Sequence, residues 1–140
     1  MTLKLTSLTK AIESLAKSVQ VISSPKQMEA LTPEARETIQ SGVIQNFEVA
    51  YEQAWKMMKR WIENNVGSTV VDGVSRRELF RLAAESQLIQ DVDLWMSFHQ
   101  ARNETSHTYD GEIVEEVLEI ASRFLLEVKN LYSYLEKHND

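Results

Sequence analysis

The chain has 140 residues, 43% hydrophobic and 26% charged, with a formal net charge of −6, values that suit an ordinary globular protein of one domain's length. It has no cysteine, which excludes disulfides and thiolate-held zinc or iron–sulfur centres. The acidic balance argues against a protein whose main work is gripping naked nucleic acid, so any such role must rest on a local site or on a partner.

Only 4 Gly and 2 Pro are present, so long elements and few turns are expected. The opening stretch MTLKLTSLTKAIESLAKS lacks the unbroken apolar core of a signal peptide. No run is long and apolar enough to span a bilayer. A cytoplasmic protein with no membrane association is expected. Leu5, Leu8, Ile12, Leu15, Val19 and Ile22 recur at spacings of three and four, one helical stripe. Ser23, Ser24 and Pro25 close it, because proline and its predecessor disfavour continuation.

Thr32, Pro33 and Glu34 form a helix start: a capping hydroxyl, a proline at the first turn, and an acid at the positive dipole end. The helix is predicted to run from Pro33 to Asn64, with Gly67 beyond its end. Ile44, Phe47, Tyr51, Ala54, Met58 and Trp61 give one stripe, and Val43, Ala50 and Met57 a neighbouring one. Ser75 followed three later by Glu78 is a capping box that opens a helix with Leu79, Phe80, Leu82 and Ala83. Asp91 is a second cap, from which Leu94, Trp95, Phe98 and Ala101 continue a helical pattern. Asp110 and Gly111 break it. The last helix carries Ile113, Val117, Ile120, Phe124, Val128, Leu131 and Leu135. No segment alternates with period two. The expected fold is all-α, an antiparallel up-and-down bundle of four main helices with room for a short fifth. The two long helices carry more apolar surface than one bundle core needs, which points to a homodimer or to helices buried on two sides.

The stretch ARNETSHTYD, residues 101–110, concentrates the polar chemistry. On a helical wheel at about 100° per residue, Arg102, Tyr109, Ser106, Asn103 and His107 fall within one broad face. If the helix ends near Ser106, the following loop can still bring His107 and Tyr109 beside Arg102. Arginine offers a planar fork for phosphate, and histidine titrates near neutrality and serves as general acid or base. RNA carries its own nucleophile, the 2′-OH, so an Arg and a His suffice for metal-free cleavage. On spacing alone, such a set at a helix end more often caps carbonyls and packs than catalyses.

The string Arg102-x4-His107-x-Tyr109 resembles the signature of HEPN-domain proteins of the HepT type, also known as nucleotidyltransferase substrate-binding proteins. IQNFEVAYEQAWKMMKRWIE, residues 44–63, resembles that family's long second helix. The run from Asp91 through Trp95 to ARNETSHTYD resembles its third core helix and site. The resemblance implies one HEPN-like domain over residues 1–140, a homodimer, and a partner, a minimal nucleotidyltransferase encoded nearby. It implies a toxin–antitoxin pair in which this chain is a metal-independent endoribonuclease with a composite Arg/His site. Arg102 and His107 would be catalytic, Asn103 supporting, and Tyr109 the acceptor of AMP drawn from ATP by the partner. RNA would be the substrate, and no cofactor or metal is implied. A second view of such proteins makes the chain a non-catalytic subunit that presents a nucleotide or substrate to the nucleotidyltransferase.

Other candidates carry less. Ser106 and His99 border the motif; His99 also reads as a partly exposed structural histidine. His138 falls in a tail expected to fray. Gly67–Ser68 and Asp91–Val92–Asp93 superficially match a nucleotidyltransferase's own motifs, but the acids follow the serine by over twenty residues and no sheet is predicted. They read instead as a helix stop and a cap. Lys56, Lys59 and Arg60, and Arg76, Arg77 and Arg81, form two basic clusters that suit either RNA phosphates or solvated helix faces. The tryptophans and methionines at 55, 57, 58, 61, 95 and 96 are expected in the core or a dimer contact.

Overall fold

The structure is a computed structural model that describes residues 2–106 and 111–139 fully and the backbone of His107. Among the described residues all regular structure is helical. Six α-helices follow one another: α1 (Thr6–Ile22), α2 (Pro25–Glu29), α3 (Pro33–Asn65), α4 (Arg76–Glu85), α5 (Val92–Glu104) and α6 (Gly111–Lys137). Short 3-10 turns occupy Ser68–Val71 and Thr105–His107. Among the described residues no helix is long and apolar enough to cross a membrane.

Six helices stand where four or five were expected, and the helix that the pattern missed is α2. Ser24 and Pro25 end α1, but they also start a new turn. The Ser24 hydroxyl accepts from the Gln27 N–H at 3.3 Å, with proline at the first helical position. This is the same device as Thr32–Pro33, where Thr32 Oγ1 accepts from the Ala35 N–H at 3.1 Å. The helix from Ser75 and the helix from Asp91 are separate because Gln87 adopts a left-handed φ of 68° after α4. The Asp91 carboxylate then caps α5 by accepting from the Leu94 N–H at 3.0 Å.

Both stripes of α3 are buried: Phe47, Tyr51, Ala54 and Met58 on one, Val43, Ala50 and Met57 on the other. The core centres on Phe124 of α6. Its ring meets Phe47 of α3 at 5.3 Å and Phe98 and Trp95 of α5 at 5.1 and 5.6 Å, each nearly edge-to-face. Such pairs contribute about 0.5–1.5 kcal/mol each beyond their buried area. This hub clamps α3 to α5, which positions the polar groups one turn further along both helices. Along α6, Phe47 lies by Phe124 and Trp61 by Tyr134, so α3 and α6 run the same way. Leu3 meets Asn139 and Thr9 meets Tyr132, so α1 runs against α6. Among the described residues four large hydrophobic side chains stay exposed: Val49, Val66, Val70 and Leu126.

The tail after α6 is held rather than frayed. The His138 ring stacks on Tyr134 at 4.1 Å, and its carbonyl accepts from Trp61 Nε1 at 3.2 Å.

Candidate functional site

Glu48, Tyr51, Glu52 and Trp55 are spaced three, four and seven residues along α3, so they share one stripe. His99, Arg102 and Asn103 are spaced three and four along α5 and share another. The Phe124 hub brings these stripes together. Two acids at i and i+4 repel each other on an isolated helix, and Arg102 answers both. Its Nη1 lies 3.4 Å from Glu48 Oε2 and its Nε lies 3.6 Å from Glu52 Oε1. All three side chains are about one-third exposed, at 33%, 32% and 35%, so each pair contributes little stability by itself, on the order of 1 kcal/mol or less. What the carboxylates supply is orientation. Arg102 Nη1 also donates to Thr105 Oγ1 at 3.2 Å, and that hydroxyl donates back to the Arg102 carbonyl at 2.7 Å. Arg102 Nε is itself buried and makes no hydrogen bond.

A second chain of contacts runs beside the first. Tyr51 is fully buried. Its phenol oxygen accepts from Arg76 Nη1 at 3.0 Å and lies 2.8 Å from His99 Nδ1. Arg76 can only donate, so the phenol oxygen is its acceptor, and whether His99 Nδ1 accepts or donates follows from the ring's tautomer. Nε2 lies 3.5 Å from Asn103 Nδ2. Burial pushes the Tyr51 phenol up to about 12, against the pull of Arg76. Burial also lowers His99, and the Arg76 charge lowers it further. The pair is therefore a neutral phenol and a neutral imidazole at physiological pH.

Arg76 stands at the first turn of α4, where a cation opposes the helix dipole, so tertiary contacts must hold it. Its guanidinium lies 3.7 Å from the Trp55 ring centre and 5.9 Å from that of Tyr51. Trp55 Nε1 in turn donates to Glu52 Oε2 at 3.1 Å. Glu52 thus links the two chains of contacts.

Residues 3–137 match the family described as nucleotidyltransferase substrate binding protein like. The chain belongs to this family. A Haemophilus influenzae relative called probable ribonuclease HepT is 32% identical over 138 residues, spanning 98% of this chain and 94% of its own. A solved Haemophilus influenzae structure, described as having the fold of a substrate binding domain of a nucleotidyltransferase, superposes with a TM-score of 0.91 at 31% identity, over 95% of this chain and 99% of that one. A Thermus thermophilus structure shares the fold at a TM-score of 0.73 and 21% identity, over 91% of this chain and 98% of that one.

Of the predicted site residues, Arg102, Asn103 and His99 of this family member lie together. Helix α5 ends at Glu104, so the motif is split between a helix and a 3-10 turn rather than spread along one helix face. Ser106 is exposed in that turn. His107 closes the turn, its side chain lying outside the described residues, as does all of Tyr109. Among the described residues no cluster of His, Asp or Glu could hold a metal ion.

Glu48, Glu52, Tyr51 and Trp55 join the site without having been expected there, and Arg76 leaves the solvated face assigned to it. The acids had a legible signal, their place four residues apart on the stripe that carries Tyr51 and Trp55. Arg77 and Arg81 do face solvent, paired with Asp93 at 3.2 Å and Glu78 at 3.0 Å. Trp61, Trp95, Met57 and Met58 are buried, while Trp55 and Met96 are half-buried.

Proposed function

We propose that this chain is a HepT-like HEPN ribonuclease of a toxin–antitoxin pair, cutting RNA without a metal ion. The observation that carries the reading is Arg102. Its fork is held by Glu48, Glu52 and Thr105 at the end of α5, one turn before His107 and next to Asn103. In this reading His107 takes the proton from a 2′-OH, which attacks the adjacent phosphorus and expels the 5′-oxygen, protonated by water, leaving a 2′,3′-cyclic phosphate and a 5′-hydroxyl. Arg102 stabilises the charge that develops on the phosphorane, and Asn103 steadies the site. His99 and Ser106 border it.

The pairings along the helices support an antiparallel up-and-down bundle forming one domain over residues 1–140. The exposed Val49 and Leu126 fit a homodimer whose two motifs share a cleft. A minimal nucleotidyltransferase encoded nearby, using ATP, would silence the cytoplasmic enzyme by placing AMP on Tyr109. Purified protein free of that modification should cleave single-stranded RNA in EDTA, and His107→Ala should abolish the cleavage while the helical circular-dichroism spectrum stays unchanged. Cleavage that survives His107→Ala, or that needs a metal ion, would sink the reading.

A second reading rests on the carboxylates that already match Arg102's charge, an arrangement that suits holding a ligand as well as catalysis. In it the chain is a non-catalytic subunit that presents a nucleotide or substrate to its nucleotidyltransferase. Calorimetric binding of ATP by a protein that never cuts RNA would select it.

A further inference from the structure

A charge available to a substrate anion belongs to a residue outside the motif. Among the described residues Arg76 forms no ion pair, whereas Arg77, Arg81 and Arg102 each face a carboxylate. Arg76 is nonetheless rigidly placed. Trp55 supports one face of its guanidinium at 3.7 Å, and one of its five N–H groups is used on Tyr51. Arg76 is half-buried, and none of its nitrogens is a buried group left without a partner, so its remaining N–H groups reach solvent. A fixed, unneutralised, partly desolvated fork is suited to a phosphate oxygen pair.

Its place relative to the motif follows from the hydrogen-bond chain. Arg76 bonds Tyr51, Tyr51 bonds His99, and His99 faces Asn103, the neighbour of Arg102. The charges of Arg76 and Arg102 both act on the His99 ring. Glu52 joins the two forks, lying 3.6 Å from Arg102 Nε and accepting from the Trp55 indole on which Arg76 stacks. A chain of net charge −6 needs such local cations to hold a polyanion.

We propose that Arg76 is a substrate-binding residue that takes an RNA phosphodiester flanking the one held at Arg102, with Trp55 as its platform. The proposal rests on the ribonuclease reading above, and it adds a second phosphate position that the motif does not contain. Arg76 does no proton transfer; it fixes the register of the strand.

Binding is measured by fluorescence anisotropy of a labelled single-stranded RNA on the His107→Ala protein, which holds RNA without cutting it, across a salt series. Adding Arg76→Gln should weaken binding by about tenfold and lower the slope of log K against log salt by about 0.7, one phosphate's share for a single strand. Arg76→Lys should keep the slope, and thermal melts should show both variants folded. An unchanged slope in Arg76→Gln with RNA still bound overturns the proposal and leaves the ribonuclease reading standing. No RNA binding by the His107→Ala protein removes both. If Arg76→Gln spares RNA but weakens ATP binding, the fork belongs to a nucleotide's phosphates and the RNA assignment is overturned.

Discussion

The charges of two arginines act on the Tyr51–His99 pair, and their surroundings could hardly differ more. Arg102, at the end of α5, faces two carboxylates and a threonine hydroxyl. Arg76, at the start of α4, faces aromatic rings and one phenol. Carboxylates hold a guanidinium in a fixed direction, but they compete with any phosphate for it. Aromatic rings hold it as firmly through stacking and leave its charge unmatched. Orientation and attraction, which a single arginine would have to combine, are divided between two.

Kinetics should separate the two roles most sharply. Arg102→Ala removes the group that meets charge developing in the transition state, so kcat should fall by about 100-fold or more. Arg76→Gln removes a contact made equally before and during reaction, so KM should rise with kcat little changed. Steady-state cleavage of one oligonucleotide by both variants tests the division. Equal losses of kcat in the two would erase it.

Tyr51→Phe should produce a smaller change, and it should side with Arg76. The phenyl ring still fills the core, but Arg76 and His99 lose their shared partner. The cost is about 1 kcal/mol, a drop of a few degrees in Tm. RNA affinity should weaken in the same direction as in Arg76→Gln, because the fork loses its hydrogen-bonded anchor, while kcat holds. An alkaline absorbance titration supplies the control: the phenol that titrates near 12 in the wild type should vanish from the variant.

How much of this was legible in the sequence follows from how local each feature is. Helix starts were written in one, two or four residues, Asp91, Thr32–Pro33 and Ser75–Glu78, and each cap is made. The apolar stripes specified α1, α3 and α6 because periodicity along one helix decides burial. Helix α2 was hidden because Ser24–Pro25 is both a stop and a start, and only the stop was heard. The Arg102 end of the site could be seen because its residues are neighbours on one helix. The Arg76 end joins residues 51, 55, 76 and 99 from three helices, and nothing in a stretch of sequence announces that convergence. Its one trace was a cation in a first turn, the wrong sign for the dipole.

The most delicate test of the comparison is the proton affinity of His99. Its imidazole lies below the ordinary value of 6.5 because of burial first and the Arg76 charge second, with Glu52 raising it and Arg102 lowering it less. The lowered value means that the folded protein holds this proton less readily than the unfolded chain. The neutral ring's contribution to stability is therefore complete above pH 6.5 and drains away as pH falls from there through the lower folded value. Melting temperatures of the wild type should fall faster between about pH 7 and pH 5 than those of His99→Gln, which cannot titrate. The ring's own NMR titration, assigned by loss of its signal in that variant, then distinguishes the arginines. Arg76→Gln should raise the His99 midpoint more than Arg102→Ala does, because an unmatched charge reaches the imidazole undiminished while Glu48 and Glu52 mask the other. A larger shift from Arg102→Ala would mean that the carboxylates do not neutralise Arg102, and the contrast between an orienting and an attracting arginine would collapse.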